Sequence, residues 1–260
     1  MLLTFDVGNT ETTLGLYDGA ELRAHWRIMT DVARTSDEFG VLLRGLLDGA
    51  ETALRDVTGV AIGSVVPPIT APLAEACRDW LPATRVEIID ARSALPITLR
   101  VDEPLTVGAD RIINTLAASR KYARDAIVVD LGTATTFDCI TRDAVFLGGV
   151  IAPGVRSSAE TLFRRTSKLP ATELVAPRRV IGTRTEECIR AGVMFGAAES
   201  IDGIVGRIKA EWPNGEVPIV IGTGGLAETF APLCRSFDAV DPYLTLYGLA
   251  LAFALVAAPD

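Results

Sequence analysis

Three acidic residues stand where a carboxylate could do chemistry. Asp6 opens the stretch Asp6-Val7-Gly8-Asn9-Thr10, and Asp130 opens its echo, Asp130-Leu131-Gly132-Thr133-Ala134-Thr135. The third, Asp110, lies between them in Val107-Gly108-Ala109-Asp110-Arg111. Each of the two echoing stretches follows a short apolar run and precedes another strand-like run, Thr12 to Tyr17 and Thr135 to Ile140. The pattern reads strand, tight turn, strand, with the acid at the end of the incoming strand. Gly8 and Gly132 allow a tight turn and a close approach to a ligand. The Asn and Thr side chains and the turn amides are donors suited to phosphate oxygens. A carboxylate beside phosphate requires a cation between them, so Mg²⁺ or a similar ion is implied. One such turn alone is ordinary hairpin chemistry. Two, half a chain length apart after matching apolar strands, predict two halves built alike with a cleft between them.

The elements that must position these residues are legible in outline. Strands are predicted at Leu2–Asp6, Thr12–Tyr17 and Glu21–Ile28, the last two joined by a turn at Asp18-Gly19. A helix capped by Ser36 carries Phe39, Val41, Leu42, Leu43 and Leu46. Val57 to Val66 reads as a buried strand stopped by Pro67-Pro68, with a helix from about Pro72 to Trp80 and a strand at Val86–Asp90. Ser93 to Pro104 reads as a linker. A helix then opens at Asp110, with Ile112, Ile113, Leu116 and Ala117 on one side. An acid there suits the helix dipole, or is a carboxylate aimed into the cleft. The second half repeats with strands Ala126–Asp130, Thr135–Ile140 and Ala144–Leu147. Gly148 to Gly154 reads as an apolar loop leading to a helix from about Val155. Residues 166 to 180 read as irregular. Gly182 precedes a long helix, Glu186 to about Glu211, with Thr185 as its N-cap. Ile219–Thr223 is a last core strand. Gly222-Thr223-Gly224-Gly225 either makes a tight turn or packs against an adenine or ribose. Strands followed by helix–strand alternation predict a mostly parallel sheet with helices against it.

Composition narrows the function classes. Apolar residues make up 49% and charged residues 22% of 260, which supports a sizeable core. The net charge of −8 disfavours nucleic acid and anionic membranes as partners. The 4 cysteines form no C-x-x-C pair, which fits reduced thiols in a cytoplasm. No signal segment is expected at the N-terminus. Leu244 to Ala258 is the most apolar stretch, shorter than the ~20 residues that span a bilayer, and reads as a buried helix. His25 is the 1 histidine, and no G-x-S-x-G elbow exists, so hydrolase triads are set aside. G-x-x-x-x-G-K-[ST] is absent, so this is not a P-loop protein, and G-x-G-x-x-G after a strand is absent too, which argues against a Rossmann site.

Taken together, the two Asp hairpins, Gly108-Ala109-Asp110-Arg111 and the Gly148 to Gly154 loop resemble the acetate and sugar kinase/Hsc70/actin superfamily, and within it type III pantothenate kinase. Gly182 with Thr185 and the Thr223-Gly224-Gly225 turn agree. The resemblance covers nearly the whole chain. It implies a duplicated ribonuclease-H-like α/β fold of two similar lobes with a central cleft, divided as 1–113 and 114–260, and a homodimer. It implies ATP-dependent phosphorylation of pantothenate, the first step toward coenzyme A. By the same resemblance, Asp6, Val7, Gly8, Asn9, Thr10, Glu11, Thr12, Thr13 and Thr133 would bind ATP. Gly108, Ala109, Asp110, Arg111 and Thr185 would hold pantothenate, Thr185 across the dimer interface, with Asp110 as general base. Asp130 would coordinate K⁺ or NH₄⁺, and Mg²⁺ would accompany ATP near Asp6. The chain departs from the family pattern at Val101, where an aromatic is common, and at Glu103-Pro104, where Asn-Pro is usual. Two other readings stay open: a kinase of the superfamily acting on another small acceptor, and a non-catalytic regulatory or accessory relative.

Overall fold

The computed structural model describes residues 1–82 and 84–256. The chain forms two compact units, Met1–Lys121 together with the stretch that begins at Leu244, and Tyr122–Tyr243.

The first unit opens with β1 (Leu2–Val7), β2 (Glu11–Asp18) and β3 (Glu21–Met29), an antiparallel meander. Leu3, Phe5 and Val7 of β1 are buried, and so are Leu14 and Leu16 of β2, whereas β3 alternates exposed and half-buried residues as an edge strand does. Next come α1 (Ser36–Gly49), β4 (Gly59–Ser64), α2 (Pro67–Trp80), β5 (Arg85–Ile89), the two-residue β6 (Thr98–Leu99) and α3 (Ala109–Tyr122). β4 and β5 add to β1 in parallel, giving the order β3-β2-β1-β4-β5. The cap of α1 is Thr35 rather than Ser36. Its hydroxyl takes the Glu38 amide while the Glu38 carboxylate takes the Thr35 amide, a reciprocal box that the Ser at the next position cannot make. α2 starts at Pro67 rather than at Pro72, because the prolines that stop β4 are also suited to a first helical turn, where no amide partner is needed.

The second unit repeats the plan with β7 (Ala126–Leu131), β8 (Ala134–Ile140) and β9 (Val145–Pro153), then α4 (Val155–Arg165), α5 (Thr185–Glu211), β10 (Ile219–Thr223), α6 (Ala227–Phe230) and β11 (Ala239–Val240). Its strands run β9-β8-β7-β10-β11, with the first three antiparallel and the last two parallel to β7. Strand order and sense match the first unit one for one, so the fold is α/β and duplicated ribonuclease-H-like. The Gly148 to Gly154 segment is not a loop. Residues 148–153 lie in β9 and Gly154 caps α4; Gly148 at φ +109 absorbs the irregularity opposite Cys139 and Ile140.

The chain then returns to the first unit as α7 (Leu244–Val256). This helix packs on β1 and β4, and β4 carries glycines under it. A Cβ on Gly59 would overlap Phe253, and one on Gly63 would come 3.2 Å from Leu249 and overlap Ile113 of α3. The buried Asn114 of α3 accepts from Thr245 of α7 at 2.9 Å. Among the described residues, no helix is long and apolar enough to cross a membrane.

Candidate active site

In the first unit, Asp6 sits one residue before the end of β1, paired across the ladder with Thr13. The chain turns through Gly8, Asn9 and Thr10, closed by the Gly8 amide donating to Glu11 O at 3.1 Å. A Cβ on Gly8 would stand 3.0 Å from that same carbonyl, tight enough to favour glycine. Three bonds come to this hairpin from Thr30, just beyond β3. Its amide donates to Thr10 O (2.9 Å), its hydroxyl donates to Gly8 O (2.7 Å), and it meets the Thr12 hydroxyl at 2.9 Å.

Val65, after β4, links the hairpin to the third acid. Its amide donates to Val7 O at 3.1 Å, and its side chain lies 3.3 Å from where a Cβ on Gly108 would be. That Cβ would also come within 2.6 Å of Asp110 Oδ1, so position 108 is a glycine because the Asp110 carboxylate lies over it. Asp110 is the second residue of α3. Its Oδ1 accepts from the Arg111 amide at 2.8 Å. Burial pushes its carboxyl above the ordinary aspartate range, with the Arg111 amide and charge opposing in part. A carboxylate so raised is a better proton acceptor than a solvated one.

In the second unit, Asp130 is paired with Thr136 of β8 and Thr223 of β10. The two-residue tip, Gly132 and Thr133, is exposed, and the Gly132 amide donates to Ala134 O at 3.0 Å. Two glycines from elsewhere close on this hairpin. Gly154, ahead of α4, packs so tightly that a Cβ there would overlap the Thr133 carbonyl. Gly224, at φ +85, lies against the Asp130 carboxylate in the same way. The Ser157 hydroxyl of α4 also donates to Thr133 O, at 2.9 Å. The Gly222–Gly225 turn thus packs on an acid of its own unit. Beside it, the fully buried Thr223 hydroxyl has no hydrogen-bond partner. Thr223 is the ladder partner of Asp130, so both residues can offer oxygen, the ligand type that hard cations take. Among the described residues no cluster of three or more His, Cys, Asp or Glu could hold a metal.

Thr185 stands exposed as the first residue of α5, and its expected cap role falls to Arg184, which makes no side-chain cap bond. The Glu187 carboxylate instead takes the Thr183 amide at 3.0 Å. Among the described residues no hydrogen bond joins Thr185 to the Gly132–Thr133 tip. A cavity of about 260 Å³, lined by Cys139, Gly148, Gly149, Ile208 and Trp212, opens elsewhere in this unit. It lies roughly 17 Å along β8 from the hairpin tip, at the strand rise per residue, so it is a separate feature.

Sequence reasoning missed Thr30, Val65, Ser157 and the role of Thr223. Thr30 had a signal. It is only approximate: counting outward from the Asp18-Gly19 turn reaches position 27 opposite position 10, and the later turn with the register shift at Leu16/Tyr17 moves that partner to 30. Ser157 and Val65 had none, since only folding brings a helix turn or a neighbouring strand end to the hairpin.

Comparison with known proteins agrees with this geometry. Residues 2–207 match the family model described as type III pantothenate kinase. The type III pantothenate kinase of Acidothermus cellulolyticus is 44% identical over 253 residues, covering 97% of this chain and 98% of that protein. Among solved structures, component A of the (R)-2-hydroxyglutaryl-CoA dehydratase of Acidaminococcus fermentans aligns with a TM-score of 0.55 at 17% identity, covering 98% of this chain and 96% of that one. The ROK hexokinase of Thermus thermophilus aligns at 0.51 and 14% identity, over 99% of both chains. At such identities these two speak for the fold alone. The matched family model and the near full-length relative, on top of the paired hairpins and the glycine-backed Asp110, show that this chain belongs to the type III pantothenate kinase family.

Proposed function

We propose that this protein transfers the γ-phosphoryl group of ATP to the hydroxyl of pantothenate, giving 4'-phosphopantothenate, the first step of coenzyme A synthesis. The observation that carries the reading is the half-buried Asp110 carboxylate. It is held by the Arg111 amide over Gly108 and is joined through Val65 to the Asp6 hairpin. Asp110 accepts the proton of the attacking hydroxyl and orients it, while Gly108, Ala109, Arg111 and Thr185 hold the acceptor. Residues Asp6 to Thr13 and Thr133 supply donors to the phosphates. Phosphoryl transfer asks the protein mainly for positioning and charge stabilisation. Mg²⁺ carried with ATP would neutralise phosphate charge beside Asp6. K⁺ or NH₄⁺ would be held by Asp130 with the Thr223 hydroxyl. The presence of all three acids speaks against a non-catalytic accessory role.

The second unit exposes Ile151, Leu162, Phe163, Val175, Val180 and Ile181. Covering these side chains with a second copy would remove apolar area from water, which supports a homodimer. A supply of ATP and of K⁺ favours the cytoplasm as its place of work. The deciding experiment incubates the purified chain with radiolabelled ATP and Mg²⁺, with and without pantothenate and K⁺. Label should appear in pantothenate, faster with K⁺; no transfer under any of these conditions would sink the reading.

A further inference from the structure

We propose that Thr30 is a positioning residue that sets the phosphate-facing amides of the first hairpin. The inference rests on the reading that this hairpin takes nucleotide phosphate. A carbonyl oxygen is an acceptor only, and so is a phosphate oxygen, so a hairpin that grips phosphate must turn its carbonyls away. The two carbonyls that flank the tip, Gly8 O and Thr10 O, both end on Thr30, the first on its hydroxyl at 2.7 Å and the second on its amide at 2.9 Å. A trans peptide is planar, and its N–H points opposite to its C=O. Fixing Gly8 O toward Thr30 therefore fixes the Asn9 amide in the opposite direction. Fixing Thr10 O does the same for the Glu11 amide.

The hydroxyl network has one consistent orientation. The Thr30 hydroxyl has a single proton, and Gly8 O takes it. The 2.9 Å contact between the two threonine hydroxyls must then be a donation from the buried Thr12. Thr12, in β2, thus aims the Thr30 hydroxyl, and Thr30 aims the peptide that carries the Asn9 amide. Asn9 is exposed at the tip, where a phosphate could reach that amide. The backbone bond from Thr30 to Thr10 does not depend on the side chain, so substitution isolates the Gly8–Asn9 peptide.

Binding of a non-hydrolysable Mg·ATP analogue and of adenosine to the full chain is measured by calorimetry for wild type, Thr30→Val and Thr30→Ser. Thr30→Val should weaken the analogue about tenfold, the net worth of one hydrogen bond near its upper range, and leave adenosine unchanged. Thr30→Ser keeps the hydroxyl and should return the analogue to within about threefold of wild type, a difference too small to be a lost hydrogen bond. An unchanged analogue affinity in Thr30→Val would overturn the proposal. So would equal weakening of adenosine, which would indicate general damage, or failure of Thr30→Ser to restore binding. A wild type that binds the analogue yet transfers no phosphate to pantothenate would defeat the kinase reading instead, and the Thr30 series would still be read from binding.

Discussion

The hairpin between β1 and β2 hangs on hydrogen bonds from a single threonine, whereas the hairpin between β7 and β8 is wedged by backbone. Thr30 meets the first through three polar contacts. Gly154 and Gly224 meet the second at distances that leave no room for a methyl group. The strand pairing around both is the same. Duplication thus preserved the ladder and diverged in the support. Hydrogen bonds set direction and tolerate small shifts, while close-packed backbone fixes position and tolerates none. A second contrast lies beside the hairpins. The first has a half-buried acid joined to it through Val65, and the second has a carboxylate whose ladder partner Thr223 carries an orphaned hydroxyl.

The largest expected effect tests the acid that the first unit alone supplies. Asp110→Asn should lower kcat by at least ~10²-fold, the usual scale of lost acid–base catalysis, with ATP affinity little changed in calorimetry. Near-wild-type turnover would remove Asp110 from its role.

The wedge is tested by a pair of glycines. Gly154→Ala forces a methyl into the Thr133 carbonyl, a backbone group that cannot swing aside, and should cost about 1–3 kcal/mol in urea unfolding. Gly132→Ala meets nothing closer than Ala134 O at 3.6 Å. It should cost less than about 1 kcal/mol, the helix- and strand-scale cost of such a swap. Equal losses from the two would mean that packing at Gly154 does not fix this hairpin.

The pH dependence of kcat/KM gives a subtler reading. Asp110 must be ionised to accept a proton, and burial raises its pKa. The acid limb should therefore lie above the ~3.9 of a free aspartate. Linkage has the opposite sign for stability. A raised pKa means the fold prefers the protonated acid, so that contribution is present at low pH and lost as pH rises through the shifted value. At neutral pH, Asp110→Asn should thus raise the melting temperature while lowering kcat. A lowered melting temperature there would show that the ionised carboxylate is compensated by its surroundings. The smallest effect is expected of Ser157→Ala, which removes one donor from a carbonyl that Gly154 already confines. A change of no more than a few fold in ATP affinity is expected, less than a full hydrogen bond's worth. A loss as large as that of Thr30→Val would erase the contrast between the two hairpins.

Local chemistry made much of this legible in advance. The Asp-x-Gly turns between apolar strands declare both hairpins because turn propensity and period-two burial act within a few residues. The helix expected from Asp110, which the structure starts one residue earlier at Ala109, followed from helix periodicity and first-turn acidity. Other features misled for equally local reasons. Gly148-Gly149 reads as a break, yet pairing with β8 holds it in a strand. Ser36 is a good cap in isolation, but Thr35 alone has a Glu three residues on.

The amino-acid order by itself determined that two acidic turns and a helix-borne carboxylate exist, since each is written in residues that touch along the chain. Only folding decided which groups hold them in place. Thr30, Val65, Ser157, Gly154 and Gly224 come to the acids through sheet register and helix docking, and such long-range meetings leave no periodic trace in sequence. The same holds for α7, which lies far along the chain from β4 yet fills the space that its glycines leave.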